Sequence, residues 1–249
     1  MEKSNEVTLG ESKEIPEIPI HAFLIESPIG NVLFDTGCNP DGMKGEWPDA
    51  LRGNPYVPPE GDFDVLRNSL KALGIMPEDV NVLVSSHLHP DHAGAIHYFP
   101  GSDVYVQADE LEVTMRHYEE GKLDLFHDFM DIDKMVKAGM KWKPVRVDSP
   151  DREYELCDGL TLLDLKSGHS DGLLAMMVKL EEGNFLLAGD AIYSEEHFGP
   201  PARMAGICTD ERGYFETIEF LREYAKKHDA RILYGHDMKQ FRSLEKTYV

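Results

Sequence analysis

Cysteine is scarce in this 249-residue chain, which holds only Cys38, Cys157 and Cys208. An odd number at long separations makes no disulfide framework, so the expectation is free thiols in a reducing cytoplasm. Long apolar runs are missing as well. No stretch approaches the roughly 20 uninterrupted apolar residues of a membrane span, and the opening MEKSNEVTLGESKEIPEIPI lacks the charged-then-apolar order of an export signal. Basic residues are outnumbered: 25 Lys and Arg face 46 Asp and Glu, a formal net charge of −21. Nucleic acid needs Lys and Arg for its phosphates and is excluded as a partner on that balance. Polyanionic substrates would be repelled from much of the surface. Repeats and low-complexity tracts are also absent. What remains is 41% apolar, enough for a sizeable core.

Residues 1–19 lack periodicity and read as a flexible or edge segment, with 20–249 as a single domain. IHAFLIES and GNVLFDTG form a predicted β-hairpin, and the Pro- and Gly-rich stretch 38–61 a long loop. FDVLRNSLKALG reads as a helix with Leu66, Leu70 and Leu73 on one face, ended by Gly74. DVNVLVSS and DVYVQ are strands, and 109–141 is helical with Leu111, Met115 and Tyr118 at helical spacing. The second half opens with the strand GLTLLDL. LLAMMVKL and NFLLAGD follow as strands joined by EEGN. The helix ERGYFETIEFLREYAKKH places Tyr214, Ile218, Leu221 and Ala225 on one face, and ARILYGHD is a last strand.

One pattern recurs: a strand, a tight Gly or Ser turn, then His or Asp. It appears in VSSHLHPDH, KSGHS, LLAGD and LYGHD, and more weakly in LFDTG. Strand ends feeding short loops let a rigid scaffold gather several ligands. Imidazole and carboxylate suit Zn²⁺, with Fe, Mn or Co as alternatives. His87 and His89 alternate along the chain and can share one metal, while Asp91 and His92 turn toward a second. His169 completes the first set, His236 the second, and Asp190 can bridge both. A lone His behind a strand is ordinarily a capped or exposed residue, and a lone Gly-Asp a turn; it is the joint order that points to a dinuclear site. His21, His97, His117, His127, His197 and His228 are expected to be surface or satisfied polar residues. Asp35 reads equally as a residue orienting a ligand imidazole or as a turn aspartate, and Asp237 invites the same pair of readings. Cys38 and Cys208 could approach the site, though buried structural thiols are the commoner case.

The order His-x-His-x-Asp-His, His, Asp, His resembles the metallo-β-lactamase superfamily from about residue 20 to the C-terminus. The resemblance implies an αββα sandwich of two mixed β-sheets flanked by helices. Within it, SHLHPDHAG, GDAIY with Tyr193, FGPPA and the terminal YGHD look most like N-acyl-homoserine lactonases, near enzymes that open other small lactones such as pyridoxolactone. Two departures stand out. Residues 1–19 hold no convincing strand where such lactonases begin with one, and KSGHSDG stands where the family commonly carries a proline-bearing PGH.

The implied reaction is hydrolysis of a small lactone by a metal-bridging hydroxide. Tyr193 would add a hydrogen bond to the developing oxyanion, and Asp91 would carry the proton to the alkoxide; Tyr193 alternatively only packs. Competing readings are a thioesterase of glyoxalase II type, another ester hydrolase, or a di-iron redox protein. The partner expected is a small-molecule lactone, with no membrane and either a monomer or a homodimer. For an acyl chain, Trp47 and Phe198 are expected to line a groove, the alternative being that Trp47 anchors its loop.

Overall fold

The computed structural model describes residues 2–3, 17–48, 51, 61–123 and 126–249. The chain divides into two compact units, residues 1–3 with 20–144 and residues 4–19 with 145–249. Each carries a mixed five-stranded sheet.

In the first unit, β1 (Phe23–Ser27) and β2 (Gly30–Phe34) form the expected hairpin, in register from Phe23 opposite Phe34 to Ser27 opposite Gly30. Gly30 sits at φ 101°, a backbone region glycine enters without steric cost. β2 pairs in parallel with β3 (Val80–Val84), and β3 with β4 (Asp103–Gln107). β5 (Lys141–Val145) closes the far edge. The helices are α1 (Val65–Ala72), the single turn α2 (Pro90–Ala93), α3 (Ala108–Glu120) and α4 (Phe129–Ala138). Leu33, Leu83 and Val104 from the strands pack with Leu70, Ile132 and Met135 from the helices.

Three expectations are corrected in this unit. The helical stretch 109–141 is two helices and a strand. Gly121 takes φ 65° and donates to the carbonyls of His117 and Tyr118, a left-handed stop that ends α3. Asp128 then caps α4 by accepting the Met130 and Asp131 amides. Second, Leu73 is 68% exposed. α1 ends at Ala72, and Leu73, at φ −86° and ψ 0°, has left the helical line that Leu66 and Leu70 share. Third, β5 went unread because KWKPV carries two lysines and a proline. Proline cannot donate to a ladder and is tolerated at an edge, where this strand lies.

The described residues of the 38–61 stretch include a wide helical turn at Gly42–Glu46. Trp47 follows it, 1% exposed, and its indole N–H donates to Asp131 Oδ2 at 3.1 Å. Its ring lies where a side chain on Gly42 would have to go, 2.3 Å from an ideal Cβ. That is an anchor's position, and the acyl-groove expectation for Trp47 draws no support from it. Tyr56 lies outside the described residues.

The second unit orders its strands β10-β9-β8-β7-β6: β6 (Glu153–Cys157), β7 (Leu160–Lys166), β8 (Leu173–Leu180), β9 (Gly183–Leu187) and β10 (Ala230–Leu233). Central β8 is buried continuously from Leu173 to Val178, which explains why LLAMMVKL reads as an unbroken apolar run. β9 and β10 pair in parallel across a crossover that contains α5 (Glu195–Phe198) and α6 (Glu211–Lys227). α6 buries Tyr214, Ile218, Leu221 and Ala225 as its spacing predicts. The single turn α7 (Met238–Phe241) follows β10. Edge strand β6 was not foreseen, since EYELC is half charged. Two-residue strands occur at Glu2–Lys3 and Glu17–Ile18, too short for periodicity to register. Ile18 is buried in the core of this unit.

The buried anchor beneath Trp47 carries a pH signature. Asp131 accepts from Asn39 Nδ2 as well as from Trp47, yet burial, the largest influence, pushes its carboxyl up to about 7. A raised folded-state pKa contributes stability that is complete below the ordinary value and is lost as pH rises through the folded value. Relative to Asp131→Asn, the natural protein should therefore lose up to about 1.4 kcal/mol per pH unit between roughly pH 4 and 7. Urea titrations of both proteins across that range, read by tryptophan fluorescence, check this; parallel pH profiles would refute it.

Candidate metal centre

Four of the expected ligands come from the first unit. β3 runs out through Ser85 and Ser86 into His87, Leu88 and His89, and Pro90 then opens α2, which carries Asp91 and His92. Proline suits the first position of a helix, where its missing N–H costs nothing and its φ is already helical. Each pair, His87 with His89 and Asp91 with His92, brings ligand atoms within 4.8 Å of one another. The three imidazoles are buried, the His87 ring 4.3 Å from that of His89 and 4.4 Å from that of His92. Rings this close inside a protein cannot all carry positive charge without strong repulsion in a low dielectric, so they suit a cation held between neutral nitrogens.

The backbone around them is tightly constrained. Asp35, at φ 57°, accepts the Ser86 amide at 2.7 Å and the Ser86 hydroxyl at 2.9 Å, and lies 2.8 Å from His92 Nδ1. Of the two readings of Asp35, these contacts favour the orienting one, since its partners are Ser86 and His92, more than 50 positions away, and not the amides of its own turn. With Nδ1 engaged, Nε2 is the nitrogen of His92 that could coordinate an ion. Gly94 closes the segment where an added Cβ would lie 2.4 Å from Asn39 N and from the Pro90 carbonyl oxygen, so only glycine fits. Glu110, fully buried in the first turn of α3, accepts the Leu88 amide at 2.8 Å and lies 3.2 Å from His127 Nε2.

The remaining three come from the second unit, each behind a strand. His169 follows β7, Asp190 sits in the turn Gly189–Ala191 after β9, and His236 follows β10. All three are buried. Asp190 Oδ2 lies 3.3 Å from His169 Nε2 and 3.2 Å from His236 Nε2, and Oδ1 lies 3.0 Å from His236 Nε2. The opposite nitrogens are tied to backbone: His169 Nδ1 to the Ile207 carbonyl at 3.0 Å and His236 Nδ1 to the Pro19 carbonyl at 2.9 Å. A carboxylate beside the ε-nitrogens of two such rings offers the imidazole and carboxylate donors that divalent ions take. Gly235 makes room for it, since an ideal Cβ there would lie 2.7 Å from Asp190 Oδ1 and from the Gly189 carbonyl oxygen.

Tyr193 is buried among these residues, its hydroxyl 3.4 Å from His169 Nδ1 and its ring 5.0 Å from that of His236. Its carbonyl accepts the His236 amide, tying the two loops together. The unusual KSGHSDG loop is held firmly: Gly168 O accepts the Thr209 and Asp210 amides, and Ser167 Oγ donates to Asp210. Cys208 Sγ rests 3.4 Å from Gly168 O, its thiol pushed up by burial. Asp237 proves to be a cap, accepting the Gln240 and Glu195 amides.

Phe198 lies under the Arg222 guanidinium, 4.0 Å from its carbon. It lines an open cleft of about 610 Å³ with Arg222, Tyr234 and Lys239, and neither Asp190 nor His236 lines that cleft. Of the histidines expected to be inert, His127 and His197 are buried. His127 pairs with Glu110 and stacks edge-on to His89, while His197 Nδ1 lies 2.8 Å from Ser194 Oγ. Sequence reasoning missed Glu110, Ser86 and the two backbone carbonyls. Only Glu110 left a trace, as an acid in the first turn after an apolar strand.

The Metallo-beta-lactamase superfamily model matches residues 15–236. The chain is 38% identical over 241 residues to the N-acyl homoserine lactonase AiiB of Agrobacterium fabrum (strain C58 / ATCC 33970), covering 95% of this chain and 86% of that protein. It is 30% identical over 232 residues to the N-acyl homoserine lactonase AiiA of Bacillus thuringiensis subsp. kurstaki, covering 91% and 84%. A crystal structure of a B. thuringiensis AiiA variant with N-decanoyl-L-homoserine at its active site superposes with a TM-score of 0.79 at 26% identity, covering 98% of this chain and 91% of that one. A structure of N-acyl homoserine lactone hydrolase with N-hexanoyl-L-homoserine at its catalytic metal centre matches equally well, with TM-score 0.79, 26% identity and the same coverage.

The close approach at Gly235 generates a test. Gly235→Ala should push Asp190 out of line and weaken divalent-ion binding by about tenfold or more, the scale seen when the support of a ligand is disturbed. Competition with a chromogenic chelator measures it, and an unchanged affinity would show that the Asp190 position is not what this glycine protects.

Proposed function

Since the chain belongs to the metallo-β-lactamase superfamily, we propose that its two ligand sets work as one dinuclear centre that opens the ring of an N-acyl-homoserine lactone. The protein is a metal-dependent hydrolase of cyclic esters, as are its named relatives. The observation that carries the reading is the Asp190 carboxylate, whose Oδ2 lies between the His169 and His236 ε-nitrogens while Oδ1 lies beside that of His236. Held this way it would serve two ions, one with His87, His89 and His169, the other with Asp91, His92 and His236. Zinc is the ion proposed, from the mixed imidazole and carboxylate donors, with Fe, Mn or Co as substitutes. Such a pair of ions supplies, when bound, an activated water at neutral pH and polarisation of the ester carbonyl.

The chain's own groups then have defined work. Water adds across the ester C–O bond, its oxygen to the carbonyl carbon and a proton to the ring oxygen that leaves. Tyr193 donates its hydroxyl to the carbonyl oxygen as negative charge gathers there, an interaction stronger in the transition state than in the ground state. Asp91, the most open of the seven ligands, takes the proton from water and returns it to the departing alkoxide. No helix among the described residues is long and apolar enough to cross a membrane. The cytoplasm is proposed as the compartment, since the three free cysteines persist in a reducing one.

Purified protein should hold two transition-metal ions per chain and convert an acyl-homoserine lactone to a product heavier by one water with its amide intact. Acidification should regenerate the ring. A thioester and a phosphodiester assayed alongside should turn over far more slowly; preference for either, or release of a free fatty acid from the lactone, would sink the lactonase reading. Tyr193→Phe should lower kcat more than it raises KM, and an unchanged kcat would return Tyr193 to a packing role.

A further inference from the structure

We infer that Glu110, backed by His127, is a positioning residue that sets the spacing of the His87 and His89 imidazoles. Leu88 lies between these two histidines and is held from both directions. Its side chain is buried in the core of the first unit, and its amide donates to Glu110 Oε1 at 2.8 Å. With the peptide and side chain of Leu88 both fixed, the flanking imidazoles are presented together on the opposite side, their centroids 4.3 Å apart. A second contact reaches the same ring pair. His127 Nε2 lies 3.2 Å from the same Glu110 oxygen, and its ring packs edge-on at 5.1 Å against His89. One carboxylate therefore touches the backbone between the two ligands and the residue packed against one of them.

A fully buried carboxylate is costly to keep unless its partners are specific. Glu110 has them. It also sits in the first turn of the 13-residue α3, where Gln107 Oε1 accepts its amide at 3.1 Å and the helix dipole favours negative charge. A residue present only for packing would be better served by an apolar side chain. Asp35 does the corresponding work for His92, so each half of the HLHPDH segment has its own buried acid, one acting on a ring nitrogen and the other through a peptide bond.

The inference rests on His87 and His89 being metal ligands, and its test reads metal binding rather than lactone turnover. The metal-free natural protein, Glu110→Gln and Glu110→Ala are titrated with Co²⁺, following visible absorption, and with Zn²⁺ against a chelator. The natural protein should bind two ions. Glu110→Ala should weaken one of them by about 10–100-fold and leave the other near its natural affinity. Glu110→Gln, which keeps an acceptor for the Leu88 amide, should recover most of the loss. His127→Ala, a milder change at the edge of the cluster, should shift the Co²⁺ absorption of that one ion while the thermal midpoint stays within a few degrees; this variant decides the matter if Glu110→Ala does not fold. Two ions bound as in the natural protein, or both weakened equally, would overturn the inference, as would an unshifted His127→Ala spectrum. A natural protein that binds no ion would instead overturn the ligand assignment itself.

Discussion

His92 keeps Nδ1 at 2.8 Å from Asp35, His169 keeps its Nδ1 at 3.0 Å from the Ile207 carbonyl, and His236 keeps its Nδ1 at 2.9 Å from the Pro19 carbonyl. In each case an acceptor takes the δ-nitrogen proton and leaves the ε-nitrogen lone pair as the reactive face. That single choice of tautomer governs much of the surrounding architecture. A buried imidazole with no such acceptor could rotate, or could protonate and repel its neighbours, and either would remove it from a metal. The loops behind β7 and β10 accordingly bring each ring to a carbonyl supplied from elsewhere, Ile207 between α5 and α6 and Pro19 ahead of β1. Cross-links from Gly168 to Thr209 and Asp210 and from Tyr193 to His236 hold those ring-bearing loops.

Glycine fits the same logic. At 94 and at 235 the chain passes so close to other backbone or to a carboxylate that no side chain can intervene. Both lie within a residue or two of a ligand, at His92 and at His236. The motifs that read HxHxDHAG and YGHD therefore record a packing requirement as well as a chemical one.

The clustering of the candidate ligands was legible because each follows an apolar strand, and buried strands announce themselves in VNVLV, LTLLDLK and GNFLL. The edge strands were not legible. KWKPV and EYELC face solvent over much of their length and carry charges where periodicity looks for apolar residues. The break at Gly121 was hidden by helical spacing on both sides of it, and Leu73 by a helix that stops one residue sooner than its pattern. Partners such as the Pro19 and Ile207 carbonyls have no side-chain signature at all. Trp47 shows a different difficulty: an apolar residue in a long loop reads equally as a wall or as an anchor, and only its indole bond to Asp131 separates the two.

The contact between Pro19 and His236 spans 217 positions of sequence. It also sets an order of events during synthesis. The four expected ligands of the first unit lie within six consecutive residues, inside the segment 20–144. The described residues 17–19 belong to the second unit, whose later part begins at 145. Pro19 is therefore made long before the ring it orients, and the contact can close only after the chain has been extended through His236. Throughout that interval the nascent chain carries the histidine-rich segment 87–92 without its last expected counterpart, so the order in which the two sets arrive is written into the sequence.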